Sequence, residues 1–172
     1  GTGAAGIAAA ETTCAAVASM LGCGPQQVLP FSTGVIMEPL PVAKIVAALP
    51  AARAALSAGG WFAAVSAIMT TDTVPKGASR RVTLGDVAVT ITGIAKGSGM
   101  IHPDMATLLA FLLADAVPSG GLPALLQRAA DRSFHRVTVD GDTSPNDTLL
   151  LWVRGQGCSA PVFEGAVTRA GQ

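Results

Sequence analysis

The chain has no tyrosine, only two tryptophans and five phenylalanines, and charged residues make up 13% of its 172 positions. A base-stacking nucleic-acid surface needs more aromatics than this. The formal net charge is zero, so no basic face is imposed, and nucleic acid is not expected as a partner. Cysteine is scarce as well: Cys14, Cys23 and Cys158 are odd in number and widely spaced. They give neither a disulfide framework nor a metal-ligand spacing, and they fit a reducing, cytosolic setting. Nothing in the sequence calls for a cofactor. No apolar run is expected to cross a bilayer, because the longest, residues 105–117, is interrupted by Thr107 and Asp115. No basic stretch precedes an apolar one at the start, so no signal peptide is expected.

Half of the residues are apolar, with abundant alanine and glycine. That composition predicts extensive burial and close approach of elements. The length suits one compact domain spanning residues 1–172.

Residues 4–22 are alanine-rich and free of proline, so they read as a helix ending at "GCG". "QQVLPF" reads as a short strand followed by an "STG" loop. Residues 41–56 read as a helix broken or kinked at Pro50. "WFAAVSAIM" is too short for its periodicity to separate helix from strand. "RRVTLGDVAVTITGIAKG" alternates and is rich in β-branched residues, which predicts two strands joined near Gly85 and Asp86. "MATLLAFLLADAV" and "GLPALLQRAADRSF" read as helices. "HRVTV" and "TLLLWV" read as strands around "DGDTSPND". The sum is a mixed α and β chain with helices covering sheet.

Several short stretches carry candidate chemistry, each with a plainer alternative. In "DGDTSPND", Asp140, Asp142, Ser144 and Asn146 alternate like the start of a calcium loop. Pro145 and Leu151 then stand where that loop needs glycine and glutamate. A hydrogen-bonded hairpin connection is the better reading. His102 lies in a glycine-rich loop and His135 opens a predicted strand, and neither has a carboxylate at a telling spacing. "GIAKGSG" places Lys96 before its glycines, which fails the P-loop order. Its bare amides and its positive charge would still suit a carboxylate or a phosphate, and the alternative is a solvated lysine on a turn. In "STG", the Thr33 hydroxyl beside the Gly34 amide would make an oxyanion clamp, or an ordinary turn.

Thr107 is the least usual position. It follows the small Ala106, where loop gives way to an apolar run, and has no histidine beside it. A threonine hydroxyl attacks only when a base takes its proton. Scission of the Ala106–Thr107 bond would give Thr107 a free α-amine of ordinary pKa about 7.7–8.0, a base attached to the nucleophile itself. The same hydroxyl could make the cut by an N-to-O acyl shift. The alternative is a threonine that caps or packs at a helix start.

Taken in order, "TGAAG", "STGVIMEPLP", "AIMTTDTVPK", "GIAKGSGMIHPDMATLLAF" and "VDGDTSPNDT" resemble the ornithine acetyltransferases, the bifunctional glutamate N-acetyltransferases of arginine biosynthesis. The resemblance implies an α/β (α+β) layered sandwich of sheets between helices, shared with self-processing aminopeptidases. It implies self-cleavage between Ala106 and Thr107, with Thr107 then carrying the acetyl group. Thr33 and Gly34 match the oxyanion pair, and Thr70, Lys96 and Thr107 match substrate-binding positions. The substrates implied are N-acetylornithine and glutamate, with acetyl-CoA as an optional donor. The assembly implied is a heterotetramer of two cleaved pairs, with no nucleic acid and no membrane. Asp104, Leu108 and Pro145 stand where relatives often have Asn, Met and Thr. Relatives are about twice as long, so the chain reads as a central piece. An acidic residue and an asparagine of the pocket would lie beyond its end. A self-processing aminopeptidase or amidohydrolase, or an unprocessed inactive fragment, are the alternatives.

Overall fold

The computed structural model describes residues 2–35, 37–84, 86–101, 108–144 and 146–158. The chain divides into two compact units, residues 1–60 and 61–172.

The first unit is helical. Helix α1 (Gly3–Leu21) is followed by a single 3-10 turn (Pro25–Gln27) and by helix α2 (Val42–Ala54). Cys14 and Ala18, one turn apart, are the buried positions of α1. Arg53 Nη1 donates to the Met20 carbonyl at 2.6 Å, tying the end of α2 to the end of α1. Pro50 sits inside α2 without ending it. The strand expected over "QQVLPF" does not form: residues 25–27 make the 3-10 turn and residues 28–31 belong to no helix or strand. Extended backbone there has no neighbouring ladder to complete it. By length and composition α1 is apolar enough to cross a bilayer, contrary to the expectation above. Alanine supplies most of that character, in short side chains that each bury little area.

The second unit holds a short helix, α3 (Trp61–Ala67), then β1 (Lys76–Leu84), β2 (Val87–Lys96), β3 (Leu109–Pro118), helix α4 (Leu122–Asp131) and β4 (Thr148–Cys158). The four strands form one sheet in the order β1-β2-β3-β4. β1 and β2 are a hairpin, β3 runs antiparallel to β2, and β4 runs parallel to β3. A parallel neighbour needs a crossover connection, and α4 lies within it. The fold class is therefore α+β, with helices and a mixed sheet.

The largest departure from expectation is β3. Residues 105–117 read as a core helix because leucine and alanine favour one. In the structure, Leu112, Ala114 and Ala116 are buried while Leu113, Asp115 and Val117 are exposed. That period of two is the strand signature, and it is satisfied because β3 has a partner on each side. Helical propensity is worth tenths of a kcal/mol per residue and yields to two ladders and a buried face. "HRVTV" also differs from expectation. A 3-10 turn covers residues 134–136, and Val139 makes only an isolated bridge to Ile101.

One face of the sheet and one stripe of α4 make the core. Val89 and Ile91 of β2 and Leu112, Ala114 and Ala116 of β3 pack with Leu125 and Ala129 of α4. Asp115, at a bulge, is opposed by both Arg154 and Gly155 of β4. Gly155 has φ +117°, and a Cβ there would lie 2.0 Å from the Asp115 carbonyl oxygen, so the bulge requires glycine.

Candidate active site at one end of the sheet

The register puts four chain segments at one end of the sheet. Lys76, the first residue of β1, pairs with Ala95. Lys96, the last residue of β2, pairs with Leu109, the first of β3, and Leu109 pairs with Thr148, the first of β4. The loops entering and leaving these residues carry the side chains of interest.

Lys96 is 2% exposed, which removes the reading of a solvated lysine on a turn. The strand's alternation puts it on the face of Ile94, opposite the face of Val89 and Ile91 that packs on α4. Its Nζ donates to Thr70 Oγ1 at 3.4 Å. Burial pulls the ammonium below its ordinary value, while the charges of Asp72 and Asp147 act in the opposite direction. Among the described residues, the ammonium makes this one long bond, to a neutral hydroxyl, and a buried ammonium of three donors suits an anion.

Asp72 organises the loop around it. Its carboxylate accepts from the Thr70 amide at 3.3 Å, from the Gly97 amide at 2.8 Å and from the Lys76 ammonium. Burial would raise its pKa, but the hydrogen bonds from Lys76, Gly97 and Thr70 outweigh burial and hold it below the ordinary value. Thr71 and Ser98 share a hydrogen bond of 2.7 Å. The "TTD" loop and the "KGSG" loop are thus pinned together, which is what brings Thr70 to Lys96.

Asp72→Asn should lower stability at neutral pH by about 1–3 kcal/mol, because two amides and an ammonium lose their charged acceptor. The folded-state pKa lies below the ordinary 3.8. The contribution is therefore present above that ordinary value and lost as pH falls through the lower, folded one. Denaturant titrations should show wild type losing more stability than Asp72→Asn over this acid range. Parallel pH curves would contradict the assignment.

The "DGDTSPND" loop is not a hairpin turn. It leads into β4, which is parallel to β3. Among the described residues, no group of three or more His, Cys, Asp or Glu is placed to hold a metal ion. The loop's acids hold backbone instead. Asp140 Oδ2 accepts from the Met100 amide at 2.9 Å, and Asp147 Oδ1 accepts from the Leu108 amide at 2.8 Å. Ile101 and Val139 exchange backbone hydrogen bonds of 3.0 and 2.6 Å, and the Thr148 amide donates to the Leu108 carbonyl at 2.9 Å. Burial raises the Asp147 pKa, with the Leu108 amide, the Lys96 charge and the Ser144 hydroxyl opposing that rise. Asp72 and Asp147 were not singled out from the sequence, and Asp140 was named only as a position of the calcium-like pattern. Their signal, an acid beside glycine, threonine or asparagine in a loop, is common to ordinary turns.

Ala106, Thr107 and His102 lie outside the described residues. Leu108 precedes a strand and not a helix. Thr33 and Gly34 lie in the first unit, in the loop before α2; Thr33 is half-buried and Gly34 exposed. Among the described residues, a Cβ added at Gly34 would meet nothing within 4 Å, so neither their packing nor a left-handed φ demands glycine there. His135 does have a carboxylate neighbour, against expectation: its Nδ1 lies 2.9 Å from Asp131 Oδ1, one helical turn back.

The Gly97 and Met100 amides of the glycine loop are taken by Asp72 and Asp140, so the buried Lys96 and the Thr70 hydroxyl are the groups that this sheet end of an α+β protein turns toward an anion. The model of the ArgJ family matches residues 1–170, and the chain belongs to that family. A solved structure similar to it is the arginine biosynthesis bifunctional protein argJ from Bacillus halodurans, with a TM-score of 0.54 and 38% sequence identity. The match covers 61% of this chain and 55% of that one, so the chain corresponds to little more than half the length of that relative.

Proposed function

We propose that this chain is the part of a glutamate N-acetyltransferase that carries the acetyl-accepting threonine and half of the substrate pocket. The enzyme moves an acetyl group from N-acetylornithine to glutamate, in arginine biosynthesis, in the cytoplasm. The observation that carries the reading is membership of the ArgJ family. The buried Lys96, bonded to Thr70, supports it from the geometry.

In this reading the Thr107 hydroxyl attacks the Ala106 carbonyl and splits the chain. The freed Thr107 then takes the acetyl group of N-acetylornithine onto its oxygen and passes it to the glutamate amine. Thr33 and the Gly34 amide stabilise the oxyanion of each tetrahedral intermediate. Thr70, Lys96 and Thr107 hold the substrate. Acetyl-CoA is an optional donor, and two cleaved pairs assemble as a heterotetramer. The acetyl-enzyme is the direct test: N-acetylornithine should add one acetyl group to the fragment that begins at Thr107, read by mass spectrometry. An unmodified fragment during active turnover would exclude the threonine intermediate.

Lys96 decides how one pocket takes two substrates. Ornithine and glutamate share an α-carboxylate and differ at the side-chain end. A cation facing the shared carboxylate serves both half-reactions, whereas one facing the side chain would help glutamate and repel ornithine. Lys96→Ala should therefore weaken N-acetylornithine and glutamate by similar factors, about ten- to a hundredfold for one charge-assisted hydrogen bond. Steady-state kinetics of the two half-reactions measure this. Loss of glutamate alone would place Lys96 at the side chain.

A further inference from the structure

The two groups turned toward an anion come from separate pieces of chain. Lys96 ends β2, where the ladder to β3 fixes its backbone. Thr70 belongs to no helix or strand and lies in the loop between α3 and β1. No ladder sets its distance from Lys96. The Asp72 carboxylate does so, by giving one oxygen to each side. Oδ2 accepts from the Thr70 amide at 3.3 Å, and Oδ1 accepts from the Gly97 amide at 2.8 Å, one residue past Lys96. Lys76, the first residue of β1, also bonds Oδ1 and ties the carboxylate to the sheet. The Asp72 side chain is buried, where such bonds are strong.

Lysine carries only donors, so Thr70 Oγ1 is the acceptor in its bond with Lys96 Nζ. The threonine's own O–H is then free of Lys96 and is a second donor beside the ammonium. A lysine N–H and a threonine O–H side by side match the two oxygens of one carboxylate.

We propose that Asp72 is a positioning residue for this pair, holding Thr70 at Lys96 so that the two read one carboxylate together. This rests on the acetyltransferase reading, in which the carboxylate is that of N-acetylornithine and of glutamate. Asp72→Asn leaves one oxygen for two backbone amides and turns an NH2 group on the other donor. One tie is lost, and the spacing of the pair with it.

The test is a double-mutant cycle of Asp72→Asn and Lys96→Ala in the full-length protein that carries this segment. Asp72→Asn should raise the KM for N-acetylornithine and for glutamate about tenfold each and leave kcat within about threefold. In the Lys96→Ala background the same substitution should change neither KM by more than about threefold, because the pair it holds has already lost its ammonium. Ile91→Val, in the core on the α4 face, also lowers stability and should leave both KM values at wild type. Unchanged KM values in a folded Asp72→Asn protein would overturn the proposal. So would factors that multiply in the double variant, which mark independent effects, or an equal rise in Ile91→Val, which marks a general loosening. Loss of the thermal transition in both Asp72→Asn and Asp72→Glu would make the carboxylate a structural anchor and overturn it as well. Wild type that turns over neither substrate counts against the acetyltransferase reading. Calorimetric titration with glutamate then decides on Asp72 by itself: binding about tenfold weaker in Asp72→Asn supports the role, and equal binding, or none to wild type, overturns it.

Discussion

Thr107→Ala, purified alone in the full-length protein, should remain one polypeptide while wild type becomes two. The effect is expected to be all-or-none, because the variant lacks the only atom proposed to attack. The uncatalysed alternative, direct attack of water on an unactivated amide, is slower by many orders of magnitude. An intramolecular hydroxyl gains effective molarities of up to about 10⁵–10⁸ M when aligned. Thr107→Ser retains the hydroxyl and should still split. Loss of activity should accompany loss of splitting, since the unsplit chain has no free α-amine to act as the attached base. Intact mass separates the outcomes: one mass for alanine, two for wild type and serine. An alanine variant that splits at the same bond would remove Thr107 from the reaction. The structure bears on this through its neighbours. The amides of Met100 and Leu108, on either side of the 102–107 segment, are each held by an aspartate from one loop.

Thr33→Ala should slow acetyl transfer about a hundred- to a thousandfold with little loss of stability, the usual effect of removing one oxyanion donor. Thr33 is half-buried, in a loop of the helical unit, outside any helix or strand. Deleting its hydroxyl and methyl therefore removes little core packing, and the stability effect should be under about 1 kcal/mol. A donor that acts only on developing charge lowers kcat and leaves KM nearly unchanged. In the proposed mechanism the two half-reactions pass through equivalent tetrahedral intermediates, so both should slow together. Turnover within about threefold of wild type in a folded Thr33→Ala protein would contradict an oxyanion role. Gly34 bears on the same site differently. Its amide survives substitution, and a Cβ there meets nothing within 4 Å among the described residues. A loss of rate in Gly34→Ala would thus report on room for the substrate.

How much of this was legible beforehand varies by element, and the reason is the reach of the interactions involved. α1 and the β1–β2 hairpin depend on contacts close in sequence, and "RRVTLGDVAVTITGIAKG" shows its alternation without help. α4 was likewise readable, bounded by Gly120, Gly121 and Arg132. β3 was not. "LLAFLLADAV" is compatible with a helix by composition and with a strand by alternation, and only β2 on one side and β4 on the other select the strand. "HRVTV" shows the reverse: its β-branched residues find no ladder, so they remain in a turn and an isolated bridge.

The site divides in the same way. The sequence by itself determined which residue types are present in which order: a threonine after a small residue, a lysine before glycines, threonines before an aspartate. These carried the family resemblance. Tertiary structure alone decided that Thr70 meets Lys96 across 26 positions of chain and that Asp72 reaches the Gly97 amide across 25. It also decided that Lys96 is buried and that "DGDTSPND" holds backbone amides. A hydrogen bond between loops has no periodicity to announce it. It exists because the register of the sheet brings the end of β2 and the starts of β1, β3 and β4 to one edge, where buried polar groups must find partners in whatever chain is there.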